Sequence, residues 1–200
     1  MTTLRIEDLQ YQGRGPFSFT IDSGECVSLS GPSGVGKSQM LRALVDLDPH
    51  GGQIFLDNIE SAAVHAPQWR RQLGLLPAEC QWWFDTVGEH FDEVDVAALS
   101  RLGFDSKVME WPVSRLSSGE RQRLGLLRLL ANQPRALLLD EPTANLDAEN
   151  AHQIEDLIAE YRRQRHAPVL WVGHDLEQLQ RVAARHLRLS DNHLTEQESL

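Results

Sequence analysis

The stretch Gly31–Ser38, "GPSGVGKS", constrains this chain more than any other. It follows the apolar run "CVSLS" and precedes "KSQMLRALV", whose apolar residues have helical spacing. A glycine-rich loop of this spacing between a strand and a helix is typical of phosphate binding. Its glycines allow successive backbone N–H groups to face one point, and the helix adds the positive end of its dipole. The sequence therefore predicts a phosphate site on a strand–loop–helix unit.

Two side chains of the following helix should complete this site. Lys37 would reach the β- and γ-phosphates, and the Ser38 hydroxyl would be a ligand of Mg²⁺. The amide of Gln39 can donate to an α-phosphate oxygen. The predicted nucleotide-binding residues of this segment are Gly31, Ser33, Gly34, Val35, Gly36, Lys37, Ser38 and Gln39.

Two adjacent carboxylates end the apolar run in "ALLLDEPTANLD". Two charges directly after four apolar residues are costly unless they are paired or bound to a metal. Asp140 at the end of such a strand can reach a Mg²⁺ held near the phosphate loop. Glu141 points elsewhere and can accept a proton from the water that attacks the γ-phosphate. We therefore predict ATP hydrolysis with Mg²⁺ as cofactor.

Short apolar runs alternate with amphipathic stretches, which predicts an α/β fold with a mostly parallel core sheet, that of a P-loop NTPase. The segment "LRIEDLQYQGRGPFSFTI" is too short to hold a crossover helix, so the first strands should form an antiparallel edge sheet. Strand signals vanish after residue 82, and we predict a small helical lobe over about 82–133 inserted in one domain spanning 1–200. The polar tail "DNHLTEQESL" is expected to be frayed.

The formal net charge of −10 disfavours nucleic acid as a partner, because nucleic-acid binders usually carry a basic surface. Neither of the two cysteines has the spacing of a metal site, and two are too few for a disulfide framework. The sequence shows no signal peptide and no run of about 20 apolar residues. We expect a cytoplasmic protein whose membrane partner, if it has one, is another chain.

The segment "RLSSGERQRLGLLRLL" lies just before "ALLLDEPTANLD" and resembles the signature helix of ABC-type ATPases. Together with "GPSGVGKS", "DEPTANLD" and "WVGHD" in the expected order, the resemblance covers nearly the whole chain. It implies a head-to-tail homodimer with two ATP molecules sandwiched at the interface. Each site would use the phosphate loop of one subunit and the signature of the other.

The resemblance also implies roles for further residues. Ser117, Ser118 and Gly119 would contact the γ-phosphate bound to the opposite subunit, although Ser117 and Glu120 also match an ordinary capping box. His174 would contact the γ-phosphate and orient Glu141, and Asp147 would communicate across the dimer. Tyr11 is at the position of an aromatic residue that stacks on adenine, with Phe17 as an alternative.

The chain departs from the family pattern after the strand "LGLL". The family places a glutamine there, which binds Mg²⁺ and senses the membrane partner, whereas this chain has Ala78. Glu79 or Gln81 can substitute, or Mg²⁺ can keep an extra water. Because the predicted catalytic residues Lys37, Glu141 and His174 are present, we expect hydrolysis, at a reduced rate.

The resemblance implies an ATP-binding subunit that powers an ABC transporter through a separate membrane permease, on the inner face of the membrane. The segments "VLWVGHD" and "CQWWFDTV" resemble small ATPases of metal or iron export. Trp82, Trp83 and Phe84 lie where such subunits receive the permease, and they form either a docking patch or part of the core. The alternative is a soluble ABC ATPase that assembles a cofactor of the iron–sulfur type or a protein complex.

Overall fold

A computed structural model describes residues 2–197 and folds them into two sheets with flanking helices. The strands are β1 Leu4–Tyr11, β2 Arg14–Ile21, β3 Cys26–Ser30, β4 Gly51–Leu56, β5 Ile59–Glu60, β6 Leu73–Leu76, β7 Ala136–Asp140, β8 Val169–Val172, β9 Arg185–Ser190 and β10 His193–Gln197. The α-helices are α1 Lys37–Leu44, α2 Ala66–Gln72, α3 Val96–Arg101, α4 Ser118–Ala131, α5 Ala148–Arg165 and α6 Leu176–Val182. Single 3₁₀ turns lie at Ser61–Ala63, Gly88–His90, Ser106–Glu110 and Val113–Arg115.

The larger sheet has the strand order β10-β9-β3-β8-β7-β6 and is parallel except for β10. Strands β3, β7 and β8 are buried along their whole length, as expected of central parallel strands covered on both faces. Strand β8 lies between β3 and β7, and Val172 pairs with both Leu29 and Asp140. The loops that follow these three strands therefore leave the sheet side by side.

The smaller sheet is antiparallel, with the order β2-β1-β4-β5. This confirms the predicted N-terminal antiparallel sheet. Tyr11 pairs with Arg14 at the end of the β1–β2 hairpin. A first core cluster fills the space between the two sheets and encloses most of α1, together with Trp69, whose indole N–H donates to the carbonyl of Leu44 at 2.9 Å.

A second core cluster covers the other face of the larger sheet and joins α4 and α5 to buried residues of the segment 80–116. The segment predicted as a lobe contains α3, α4 and three of the 3₁₀ turns. Helix α1 begins directly after the glycine-rich loop, and α4, α5 and α6 begin after the N-cap residues Ser117, Asp147 and Asp175.

The prediction of a frayed tail is wrong for residues 193–197, because β10 pairs with β9 from His193 to Gln197. The last part of that prediction, residues 198–200, lies outside the described residues. No helix formed by residues 2–197 has both the length and the apolar character needed to cross a membrane.

Candidate functional site: a nucleotide-binding edge of the parallel sheet

The phosphate loop lies between the carboxyl end of β3 and α1. Gly31, Gly34 and Gly36 have φ angles of 149°, 77° and 108°, which are readily adopted only by glycine. A side chain at Gly31 would also approach the carbonyl oxygen of Leu189 to 2.2 Å. Gly36 is the N-cap of α1 and has no side chain to satisfy the free N–H groups of the first turn. The loop therefore has the backbone conformation and the free N–H groups that an anion site needs, and phosphate binding by its residues remains a prediction.

Lys37 folds back onto the loop. Its ammonium group donates to the carbonyls of Gly31 at 2.9 Å and Pro32 at 3.1 Å. Burial lowers the pKa of Lys37, while the nearby carboxylates of Glu141 and Asp140 act in the opposite direction. The structure thus brings the predicted lysine and both predicted carboxylates into one electrostatic group.

Ser38 and Asp140 meet at the predicted metal position. The Ser38 hydroxyl is hydrogen-bonded to the Asp140 carboxylate at the end of β7. Burial raises the pKa of Asp140, and this hydrogen bond partly opposes the rise. A bound cation would offset the cost of burying that charge. These two oxygen donors fit Mg²⁺, which usually takes few protein ligands and completes its shell with water and phosphate oxygens.

Glu141 and His174 form the second pair of the site. His174 Nε2 lies 2.8 Å from Glu141 Oε1. Glu141 has a left-handed φ of 49°, and its backbone N–H donates to the carbonyl of Val172. This backbone turn directs the Glu141 side chain away from that of Asp140 and toward the loop after β8. The carboxylate and the imidazole are both partly exposed, so a water molecule and a phosphate can reach them.

A buried polar network, which the sequence did not predict, fixes helix α6 and the loop before it that contains His174. Glu155 on α5 is 7% exposed and accepts hydrogen bonds from Gln178 at 2.7 Å and from Arg181 at 2.8 Å. The Thr143 hydroxyl, just after the catalytic carboxylates, donates to Gln178 at 2.9 Å. The network therefore fixes α6, and the His174 loop before it, relative to the Asp140–Glu141 turn. Its members are scattered along the chain, and no sequence motif joins them.

The signature segment begins α4. Ser117 accepts the backbone N–H of Glu120 at 3.2 Å, and the Glu120 carboxylate accepts the backbone N–H of Ser117 at 2.8 Å, so the capping box is present. Ser117 and Ser118 are exposed. A side chain at Gly119 would approach Leu146 to 2.9 Å, which places the signature beside the "ANLD" segment. Within its own subunit, the signature contacts this segment and leaves its hydroxyl groups at the surface.

Asp147 has a local role at the start of α5. Its carboxylate accepts the backbone N–H of Asn150 at 2.8 Å and the Asn150 amide at 2.7 Å. These hydrogen bonds lower the pKa of Asp147. The predicted role of Asp147 across a dimer remains a prediction.

The prediction that Tyr11 stacks on adenine is contradicted by its burial. Tyr11 is only 2% exposed, and its ring packs against Phe17, the alternative candidate, which is also 2% exposed. Burial raises the pKa of Tyr11 to about 12. Both rings belong to the core between the two sheets, and neither presents a face to a nucleotide.

The segment after β6 is held by a residue that the sequence did not single out. Ala78 and Glu79 are exposed, while Cys80 is buried. Gln122 on α4 is also buried; its amide donates to the carbonyl of Pro77 at 3.4 Å and its oxygen accepts from the Cys80 thiol. A polar side chain inside an apolar helix pattern is the signal that can reveal such an anchor.

The aromatic residues that follow have different environments. The rings of Trp82, Trp83 and Phe84 all pack on His90, but only Trp82 is partly buried, with its indole N–H out of solvent and its ring against the second core cluster. Trp83 is 65% exposed and Phe84 is 48% exposed. The structure therefore divides the aromatic patch: Trp82 packs on the helical lobe, and Trp83 with Phe84 faces outward.

Neighbouring loops of the parallel sheet carry the glycine-rich loop, the Ser38–Asp140 pair and the Glu141–His174 pair. This combination defines a P-loop NTPase. The family model described as ABC transporter matches residues 15–144, and the chain belongs to that family. Its fold is that of the family's nucleotide-binding domain. The predicted family and fold class are confirmed.

Individual proteins of similar sequence or structure agree with this family assignment. The chain is similar to protein STAR1 of Oryza sativa subsp. japonica, with 35% identity over 82% of this chain and 51% of that protein. It is also similar to the probable iron export ATP-binding protein FetA of Escherichia coli (strain K12), with 29% identity over 81% of this chain and 78% of that protein. The fold is also similar to a solved ATP-binding cassette in a dimeric post-hydrolysis state, bound to ADP and phosphate, with a TM-score of 0.81 and 22% sequence identity. The match covers 98% of this chain and all of that chain. The chain spans about half to two thirds of the length of the first curated relatives.

Proposed function

We propose that this chain binds ATP with Mg²⁺, hydrolyses it, and thereby drives a membrane permease carried by another chain. The observation that carries the proposal is the Glu141–His174 pair, at 2.8 Å, beside the phosphate loop. Family membership and relatives named as ATP-binding proteins support the same function. The alternative, assembly of a cofactor or protein complex, has no comparable support in the structure or among these relatives.

The residues divide the chemical work. The N–H groups of the loop and the Lys37 ammonium would hold the β- and γ-phosphates. Ser38 and Asp140 would hold Mg²⁺, which neutralises charge on the phosphate oxygens when bound. Glu141 would accept the proton of the attacking water. His174 would donate its single Nε2–H to Glu141, which keeps the base correctly oriented, and its ring would lie beside the γ-phosphate.

The active form we propose is a homodimer with two sandwiched nucleotides. A solved cassette of the same fold is dimeric, and the exposed hydroxyl groups of Ser117 and Ser118 support a contact with a second subunit. The free N–H groups at the start of α4 would receive the γ-phosphate held by the partner. We place this dimer at the cytoplasmic face of the membrane, bound to the permease.

The proposed hydrolysis of ATP is tested by measuring phosphate release from ATP with and without Mg²⁺. Replacing Glu141 by Gln removes the base and keeps the shape, so turnover should fall by about 10²-fold or more while ATP binding is retained. Turnover within threefold of wild type would contradict the assignment. For the transport part, the tagged chain should capture a multi-spanning membrane protein from a detergent extract of its own cells; capture of soluble scaffold proteins alone would favour the assembly function.

A further inference from the structure

The Arg14 guanidinium lies beside the phosphate loop, and the predicted nucleotide site gives this charge no role. It lies at the end of the β1–β2 hairpin, opposite Tyr11. Its guanidinium and adjoining methylene lie 3.0–3.4 Å from where a Cβ on Gly36 would be, so the group rests on the phosphate loop. The hairpin thus delivers a cation to the N-cap of α1.

This position is unfavourable unless an anion shares it. A helix N-terminus carries a partial positive charge, and a guanidinium placed there is repelled. None of the ion pairs or side-chain hydrogen bonds among residues 2–197 includes Arg14. Arg185, by contrast, pairs with the Glu25 carboxylate at 3.1 Å. Arg14 is partly buried, and its charge lies against the loop without a carboxylate partner among residues 2–197.

We propose that Arg14 is a nucleotide-binding residue and that its guanidinium bonds a phosphate group of the bound nucleotide. This inference rests on the proposed function. A guanidinium forms paired, charge-assisted hydrogen bonds with phosphate oxygens, so it suits this ligand better than a single ammonium does. With Tyr11 and Phe17 buried in the core, the hairpin contributes charge to nucleotide binding in place of an aromatic ring.

The alternative use of the same side chain is stacking of its planar face on the base. Phosphate binding is favoured because the guanidinium lies directly on Gly36, beside the N–H groups that make the anion site. The two uses respond differently to substitution. A lysine at position 14 keeps the positive charge but has no planar group to stack on the base. A tyrosine there keeps a planar ring but has no positive charge.

The test measures dissociation constants for ATP and for inorganic triphosphate, which has no base, by calorimetric titration of the full chain. Arg14→Ala should weaken both ligands by about tenfold or more, and Arg14→Lys should recover most of the loss, whereas Arg14→Tyr should not. The loss should shrink as salt is raised, because the contact is electrostatic. The control is Arg71→Ala, which removes an exposed guanidinium from α2 and should leave both constants unchanged.

Three results would overturn the inference. Binding of ATP by Arg14→Ala within twofold of wild type would remove Arg14 from the site and leave the proposed function intact. Recovery by tyrosine and not by lysine, with triphosphate binding unaffected, would replace the phosphate contact by base stacking. Failure of the wild-type chain to bind ATP at all would refute the proposed function and this inference together. Equal melting temperatures of the variants exclude an effect through folding.

Discussion

Replacing Trp82 and Trp83 by alanine, one at a time, should lower the melting temperature by different amounts, because the two indoles are buried to different extents. Trp82 is partly buried against the helical lobe, while Trp83 is 65% exposed. Truncating a fully buried Trp costs about 3–5 kcal/mol, so a partly buried one should cost about 2 kcal/mol. An exposed side chain away from the core should cost about 0.5 kcal/mol.

These costs translate into different melting temperatures. For a domain of about 200 residues, 1 kcal/mol corresponds to roughly 2–4 °C. Trp82→Ala should therefore lower the melting temperature by about 4–8 °C, and Trp83→Ala by about 1–2 °C. The Arg128 guanidinium lies 4.5 Å from the Trp82 ring centre and 4.7 Å from that of Trp83, so both variants lose one such contact. The difference between them thus reports burial.

The paired assay is capture of the membrane partner from detergent extract. Trp83→Ala should keep a wild-type fold and ATP affinity yet lose the partner, because exposed aromatic anchors contribute strongly at interface centres. Leu47→Ala, which truncates an exposed apolar side chain outside the aromatic segment, serves as the control and should retain the partner. The docking role of the exposed aromatic residues would be wrong if Trp83→Ala retained the partner fully, or if it destabilised the domain as much as Trp82→Ala.

Three further predictions follow from single contacts. Lys37→Ala removes the ammonium that reaches the phosphates and should weaken ATP binding at least tenfold; unchanged affinity in a titration would contradict the phosphate-loop assignment. Burial raises the pKa of Glu155, but hydrogen bonds from Arg181 and Gln178 outweigh it and hold the pKa below the usual range of a glutamate, so the stability this group adds is present above the pKa of the unfolded chain and is lost as the pH falls through the folded-state pKa. Melting curves below pH 5 should therefore be less pH-dependent for Glu155→Gln, and an unchanged dependence would exclude this source. Ser117→Ala removes a capping hydrogen bond and should lower the free energy of unfolding by about 1 kcal/mol, whereas Ser114→Ala, exposed and outside the cap, should not change it.

The predicted site residues of the phosphate loop, the acidic strand end and the histidine loop lie on one edge of the sheet, and each of these motifs is local in sequence. A glycine-rich loop, an acidic strand end and a histidine after a buried strand are visible in a few consecutive residues, and parallel pairing then brings them together. The buried strands β3, β7 and β8 were equally visible as short, mostly apolar runs. The roles assigned to individual site residues, including Ser33, Val35 and Gln39, are the part that binding experiments must test.

What the sequence did not predict depends on side-chain placement across the fold. Tyr11 fits an exposed aromatic position by spacing alone, but the register of the hairpin turns its ring into the core. Strand β10 is polar and escaped detection, since an edge strand with one solvated face needs few apolar residues. The Glu155 network and the approach of Arg14 to Gly36 join residues far apart in sequence, which no local pattern records.

Light scattering measures the mass of the Glu141→Gln variant with and without ATP and thereby tests the proposed ATP-sandwich dimer. We expect a monomer without nucleotide and a stable dimer with ATP, because blocked hydrolysis leaves both nucleotides at the interface. Adding Ser118→Arg to this variant should abolish the dimer while ATP still binds, since the exposed signature would no longer fit the partner's phosphate. A Glu141→Gln chain that binds ATP and remains monomeric at every concentration would contradict the sandwiched dimer and the catalytic scheme that depends on it.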